Sequence, residues 1–387
     1  MLRRAVAVAT IAFAALCGNR ASADDILVGA HMPLTGSLAR SGQAFDEGMR
    51  VAVQMFNARS GTHKLRLRVI DDESTPAKAV SAVEKLVADG AVAVIGGYGS
   101  NIVGPASDAA NRLDTTYITA GAASDELTKR GLKTFFRINN NAGYQRGMVG
   151  LLKSLKPASV SIVASTKESP SLLAKGLQRD LSAEGVKVTL HEFDPAITDF
   201  KPIINKVKLQ DRPDALVMAA YENDYVGIIR AARILKPSVK LIVGAWALAV
   251  PKLYQEFPDL MNNVVGASFL PFPVEIEDEE GKGFAEAYRK TYDKDVDYHS
   301  TLSFVETTIL AEAIAKAAEA GTLRTGGLTE AMRTTDRKTV LGPVQFDATG
   351  DNPRFSVAMG QHRAGKIVLV SPRSAATGDL VLPARPW

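Results

Sequence analysis

The sequence predicts an α/β protein built as two lobes, each a doubly wound parallel sheet. Short β-branched runs alternate with helical periods along most of the 387 residues, and the alternation restarts after Asn139–Asn141. Such alternation implies right-handed crossovers and parallel pairing. With 46 % apolar residues and one Cys, the chain has the composition to bury two cores without disulfide or metal staples.

The first segment stands apart from that pattern. Arg3 and Arg4 precede an uncharged, mostly apolar stretch from Ala5 to Cys17, and Ala21-Ser22-Ala23 then offers a small-x-small cleavage site before Asp24-Asp25. This order predicts a secretory signal at residues 1–23, cleaved near Ala23. Cleavage removes Arg3, Arg4, Arg20 and no acid, so a formal charge of +4 becomes +1, and Cys17 is lost too. The remaining charge is too small to imply a nucleic-acid partner. No apolar run reaches the roughly 18–20 residues of a membrane span, so no membrane insertion is expected after cleavage.

Ile26–Gly29 reads as the first strand. Gln43–Ala58 reads as a helix, with Phe45, Met49, Ala52, Val53 and Phe56 spaced by threes and fours. Leu65–Ile70 alternates apolar and basic residues, a strand with one covered face. Thr75-Pro76 opens a helix that runs to about Asp89, with Gly90 ending it. Ala91–Ile95 is a continuous apolar run of the kind buried on both faces of a parallel sheet. Helix Val103–Leu113 and strand Thr116–Thr119 follow.

In the second half, strands are expected at Val160–Ala164, Val186–His191, Ala215–Ala219, Leu241–Gly244 and Val264–Ser268. Helices at about Ser171–Glu184, Phe200–Leu209 and Tyr225–Leu235 separate them. From about Glu277 the pattern turns helical, through Tyr292 and then Ser300–Ala320, with the acidic run Glu275–Glu280 as a solvated helix start. Late strands at Val344–Phe346, Arg354–Met359 and Ile367–Ser371 are expected to join the existing sheets. The lobes are then 24–141 with about 272–347, and 142–271 with about 348–387.

Enzyme motifs fail on single residues. Gly97-Tyr98-Gly99-Ser100-Asn101-Ile102 sits between strand and helix as a dinucleotide fingerprint would, but Ile102 takes the third glycine position. Gly360 to Ile367 resembles a phosphate loop until Ile367 stands where Ser or Thr should hold magnesium, and a hairpin turn explains its glycines better. The five His are scattered without metal-ligand spacing, and there is no GxSxG elbow. No metal and no cofactor is expected.

What remains is a set of strand ends rich in small and hydroxylated residues: Thr35-Gly36-Ser37 with Ser41, Tyr98-Gly99-Ser100-Asn101, and Thr119 through Ser124, including Gly121, Ala122 and Ala123. In open α/β sheets, ligands bind beyond the carboxyl ends of strands. A helix N-terminus there leaves N–H groups free and suits a carboxylate, to which Ser100 adds a hydroxyl donor. The alternative for each segment is an ordinary βα turn with a capping serine. Three together on one lobe favour a site.

The mature chain resembles the branched-chain amino-acid-binding family of periplasmic solute receptors serving ABC transporters. The resemblance is carried by Val28 through Gly36 with Gly48, by Ile70-Asp71-Asp72 before Pro76, and by Val94-Ile95-Gly96 leading to Ser100 and Pro105-Ala106-Ser107. It continues through Ile118-Thr119, Glu126-Leu127-Thr128, Phe136-Arg137, and Leu341-Gly342-Pro343 to Phe346-Asp347. It implies a type I periplasmic-binding-protein fold with a three-crossing hinge and closure on a small ligand without chemistry. It also implies a periplasmic location, ABC permease subunits as membrane partners, and action as a monomer.

The resemblance assigns Ser100 to the ligand carboxylate and Gly121 and Ala123 to further contacts, Ala123 standing where the family often has a Thr that helps fix the amine. Ser41 and Ser169 stand where tyrosines occur. Trp246 occupies the position of an acidic residue that pairs with the amine, and Glu222 lies near another contact. Two amine-recognition features are thus absent, and a buried ammonium without a carboxylate partner costs several kcal/mol. An α-amino acid is disfavoured unless Glu222 or Asp224 substitutes. Trp246 and Tyr98 offer aromatic faces instead, although Trp246 has the alternative of packing at the hinge. The expected ligand is a carboxylate without an α-amine, such as an aromatic or apolar organic acid. A sensory receptor on the same fold and a hydrolase are the competing readings.

Overall fold

The computed structural model describes residues 25–387; the expected signal at 1–23 lies outside the described residues. Strands β1 (Asp25–Met32), β2 (Lys64–Asp71), β3 (Ala93–Gly96), β4 (Thr116–Thr119) and β5 (Phe135–Arg137) form an all-parallel sheet in the order β2-β1-β3-β4-β5. Ala30 of β1 pairs with Val69 on one side and Ile95 on the other, and β3 is buried at every residue, as its continuous apolar run predicts. The crossovers are α1 (Ala39–Arg59), α2 (Pro76–Ala88) and α3 (Ser100–Arg112).

After β5 the chain leaves this sheet through α4 (Asn141–Leu155). A second sheet follows, with strands β6 (Ser159–Ser165), β7 (Lys187–Phe193), β8 (Ala215–Ala219), β9 (Leu241–Gly244) and β10 (Val265–Ser268) parallel in the order β10-β9-β8-β6-β7. Helices α5 (Glu168–Ala183), α6 (Lys201–Lys206), α7 (Glu222–Leu235), α8 (Pro251–Glu256) and α9 (Pro258–Met261) connect them.

The chain then returns to the first sheet as α10 (Glu279–Tyr292), α11 (Tyr298–Glu319) and α12 (Gly327–Arg333). Asp278 caps α10 by accepting from the Gly281 N–H at 2.8 Å. The α1–α11 contact is close because Gly48 faces α11: a Cβ there would lie 2.3 Å from the Ser300 carbonyl oxygen. Strands β11 (Asp336–Thr339) and β12 (Gly342–Gln345) follow. A third crossing leads to β13 (Ala358–Arg363) and β14 (Lys366–Ser371), which extend the second sheet beside β10.

Three late expectations need correction. The strand read at Val344–Phe346 joins neither large sheet; it pairs with β11 in a two-stranded antiparallel ribbon. The strand read at Arg354–Met359 begins only at Ala358, because Phe355 and Val357 instead pack against α4, where Gly143 and Gly147 leave room for them. The second sheet is not wholly parallel, since β13 runs antiparallel to both β10 and β14. The glycines near Gly360 do serve a hairpin: the two residues linking β13 to β14, Ala364 and Gly365, have φ of 50° and 85°, the twist that tight hairpins favour.

Crossings one and three are laced together. Arg137, fully buried, donates from Nε and Nη2 to the two carboxylate oxygens of Asp351 at 2.8 and 2.7 Å, and from Nη2 to Asp125 at 2.9 Å. The Asn140 side-chain amide donates to Asp351 and to the Asn352 carbonyl, and Asn352 donates back to Ile138. An aromatic cluster adds the second crossing: Phe269 stacks on Tyr298 at 4.8 Å, and Phe355 packs against both Phe269 and Tyr144.

Candidate functional site

The carboxyl ends of six strands, three from each sheet, meet around a cavity of about 290 Å³. The segment after β3 supplies Tyr98, Gly99 and Ser100; that after β4 supplies Ala120, Gly121 and Ala123; Asn139 follows β5. From the other sheet come Ser169, Tyr221 and Trp246, after β6, β8 and β9. Tyr298 and Leu302 complete the wall from α11.

The glycines after β3 shape the floor. Gly97 and Gly99 have φ of 72° and 94°, so the chain arches over the strand end before α3 begins. The Gly99 N–H donates to the Gly121 carbonyl at 2.9 Å. Gly121 itself comes so close that a Cβ would stand 2.0 Å from the Gly97 carbonyl oxygen. Only glycine fits that approach. The near-match to a dinucleotide fingerprint therefore records a backbone requirement. Ser100, the first residue of α3, accepts from the Ser124 N–H at 3.1 Å, which ties the two loops and turns its hydroxyl proton elsewhere. The first-turn N–H groups of a helix lack intrahelical partners, and the dipole there suits an anion.

The wall is aromatic and uncharged. Tyr98, Tyr221 and Trp246 form a run, with Tyr98 edge-on to Tyr221 at 6.0 Å and Tyr221 stacked on Trp246 at 6.1 Å. Burial pushes the phenols of Tyr98, Tyr221 and Tyr298 up, so all three keep their protons. No Asp, Glu, Lys or Arg is among the lining residues.

Of the residues expected to bind, Tyr98, Ser100, Gly121, Ala123, Ser169 and Trp246 line the cavity; Ser41, Asn101, Ala122 and Glu222 do not. Ser41 donates to Glu222 at 3.4 Å, and Arg40 stands 3.5 Å from Glu222 and 2.6 Å from Glu256, a cluster that spans the two sheets beside the cavity. Burial pushes the Glu222 carboxyl up to about 7, and pushes His299, 3.9 Å away, down to about 4. Asp224 accepts from the Tyr221 N–H at 3.2 Å and so caps its own helix. Neither acid faces the cavity. Ser169 is turned to Asn141, donating to its side-chain oxygen at 2.9 Å.

Tyr221, Asn139 and Tyr298 were not among the expected residues. Tyr221 and Asn139 follow strand ends, so the rule that selected Tyr98 would have found them. Tyr298 opens a helix far along the chain and carries no such signal. A second cavity of about 280 Å³ shares Tyr298 and extends toward Phe269, Phe272 and Ile367, away from the expected residues. Among the described residues, no three His, Cys, Asp or Glu side chains converge as a metal site, and no helix is long and apolar enough to cross a membrane.

Two open sheets that meet at their strand ends around a small neutral cavity define a two-lobed binding protein. The chain belongs to the periplasmic binding protein family, whose model matches residues 25–366, and members of this family bind solutes rather than transform them. The Leu/Ile/Val-binding protein homolog 7 of Brucella suis is 24 % identical over 388 residues, covering 96 % of this chain and 97 % of its own. The branched-chain amino acid transporter substrate-binding protein LivJ of Streptococcus pneumoniae, solved with isoleucine, superposes with a TM-score of 0.77 at 24 % identity, covering 90 % of this chain and all of its own. A solute-binding protein of an ABC transporter from R. palustris, solved with benzoate, superposes with a TM-score of 0.81 at 18 % identity, covering 92 % and 98 %. These structures share the expected two-lobed fold.

Proposed function

We propose that the chain is the extracytoplasmic solute-binding protein of an ABC importer and captures a small carboxylate without an α-amine, an aromatic or apolar organic acid. One observation carries this reading: the cavity combines a helix N-terminus bearing Ser100 with aromatic walls and has no acidic side chain. An ammonium desolvated there would lack the carboxylate that offsets its burial, whereas a carboxylate meets helix N–H groups and a hydroxyl. The benzoate held by the R. palustris protein supports the reading to the extent that the same fold there takes an aryl carboxylate.

The three crossings support a division of the chain near residues 141, 271 and 347. Ligand contacts from both halves would bias the open–closed equilibrium by their difference in affinity for the two states. The closed form would then dock as a monomer on permease subunits, after export by the N-terminal segment. Calorimetric titration of the mature protein with leucine and with benzoate tests the proposal. Benzoate binding with weak or no leucine binding is expected; tight leucine binding without response to benzoate overturns it.

A further inference from the structure

Two polar atoms in the cavity wall are buried without a partner: the Trp246 indole Nε1 and the Asn139 side-chain oxygen Oδ1. Both residues are more than nine-tenths buried. They also sit on one scaffold. The Asn139 Nδ2 donates to the Tyr144 hydroxyl at 3.0 Å, and the Trp246 ring packs edge-on against the Tyr144 ring at 5.8 Å. The cavity lining therefore includes a lone donor and a lone acceptor on two residues that share Tyr144 as a neighbour, and buried polar groups in folded proteins are rarely left unpaired.

We propose that the ligand is a hydroxyl-bearing aryl carboxylate, whose hydroxyl accepts from the Trp246 N–H and donates to the Asn139 oxygen. The inference rests on the aryl-carboxylate reading above and narrows it. A hydroxyl is the smallest neutral group that satisfies both atoms. A ring hydrogen or methyl would leave both unpaired, an ether would satisfy only Trp246, and an ammonium would leave the Trp246 N–H facing a cation.

The test is calorimetry on the mature chain, unfolded and refolded to strip any co-purified ligand, with benzoate, 3- and 4-hydroxybenzoate, their methoxy counterparts and leucine. At least one hydroxybenzoate is expected to bind about tenfold tighter than benzoate, the scale of one hydrogen bond made to otherwise unpaired buried groups. Its methoxy counterpart, unable to donate, should lose most of that gain. Trp246→Phe keeps a ring but removes the donor, and should shrink the hydroxybenzoate-to-benzoate ratio; a purely structural role would weaken both ligands alike. Benzoate binding with neither hydroxybenzoate tighter overturns the inference and leaves the aryl-carboxylate reading in place. A folded Trp246→Phe protein that keeps the full ratio also overturns the inference. If no aryl carboxylate binds, both fall.

Discussion

The guanidinium of Arg40 stands 3.5 Å from the carboxylate of Glu222, joining the helix that follows β1 to the helix that follows β8. The same guanidinium holds Glu256 at 2.6 Å, and the Asn223 side chain donates to the Ser37 carbonyl at 3.3 Å nearby. These contacts tie α1 and the turn before it to helices of the second sheet, away from the crossings, and an opening that parts those helices would break them. Arg40→Ala is therefore expected to favour the open form, enlarging the radius of gyration of the ligand-free protein in small-angle scattering and weakening ligand binding.

The pH dependence of binding follows from the same cluster. Glu222 is faced by Arg40 and Ser41 from α1, by Asp297 and His299 at the start of α11, and by Lys252 from α8, and burial pushes its carboxyl up to about 7. An acid whose pKa is raised in one state binds its proton more tightly there. Closing the cleft should therefore take up a proton between the ordinary carboxylate range and about pH 7, and closure should gain as pH falls through that window and lose as it rises. His299, pushed down to about 4 by burial, is neutral in the shut form. Wherever opening exposes its ring it works in the opposite sense below the ordinary imidazole range, so the Glu222 gain is read above that range. Benzoate affinity is expected to rise as pH falls from about 7.5 to 6.5, with Glu222→Gln removing that rise; a flat wild-type profile over this range contradicts this.

Ser100→Ala should weaken carboxylate binding by about 1–3 kcal/mol, the loss of a hydrogen bond to a charged group. Calorimetry reads it directly, and an unchanged affinity would mean that the carboxylate lies elsewhere.

Gly121→Ala forces a methyl into the Gly97 carbonyl, 2.0 Å away, and the two floor loops must part. Overpacking of this kind costs about 1–3 kcal/mol. A lowered melting temperature together with weakened binding is expected, and an unaltered melting curve would show that the loops are free to separate.

Asp351→Ala leaves the fully buried Arg137 with Asp125 as its remaining carboxylate. Because Asp125 and the Ala123 and Ser124 carbonyls still hold the guanidinium, the cost is that of lost hydrogen bonds to a charged group, about 1–3 kcal/mol. Chemical denaturation should show a loss on that scale.

Much of the first sheet was legible because its strands and helices carry their own periods: Ala91–Ile95 is apolar throughout, and α1 spaces its buried residues by threes and fours. α4 was not legible. Gly143, Gly147 and Gly150 look wrong for a helix interior, yet a Cβ on Gly143 would lie 2.3 Å from the Phe355 ring, so a partner two hundred residues away explains the first of them. Phe355, Val357 and Met359 alternate like a strand, but the first two are buried by α4 rather than by a ladder. In the cavity, strand-end residues were readable one by one. Glu222 and Trp246 were harder, because chain position cannot say which of two nearby side chains turns inward and which is spent on Arg40.

The aromatic cluster that gathers the three crossings contains Tyr144 and Tyr298, whose hydroxyls are hydrogen-bonded to each other, and Tyr298 is itself a wall of the cavity. The proposed pivot and the proposed grip therefore share one part. On the proposed closure about these crossings, a cargo that presses on Tyr298 would lean on the axis of the swing, and the angle of the loaded form would follow the cargo's shape. A change that retuned selectivity through this wall would then also regear the motion that a membrane partner would sense.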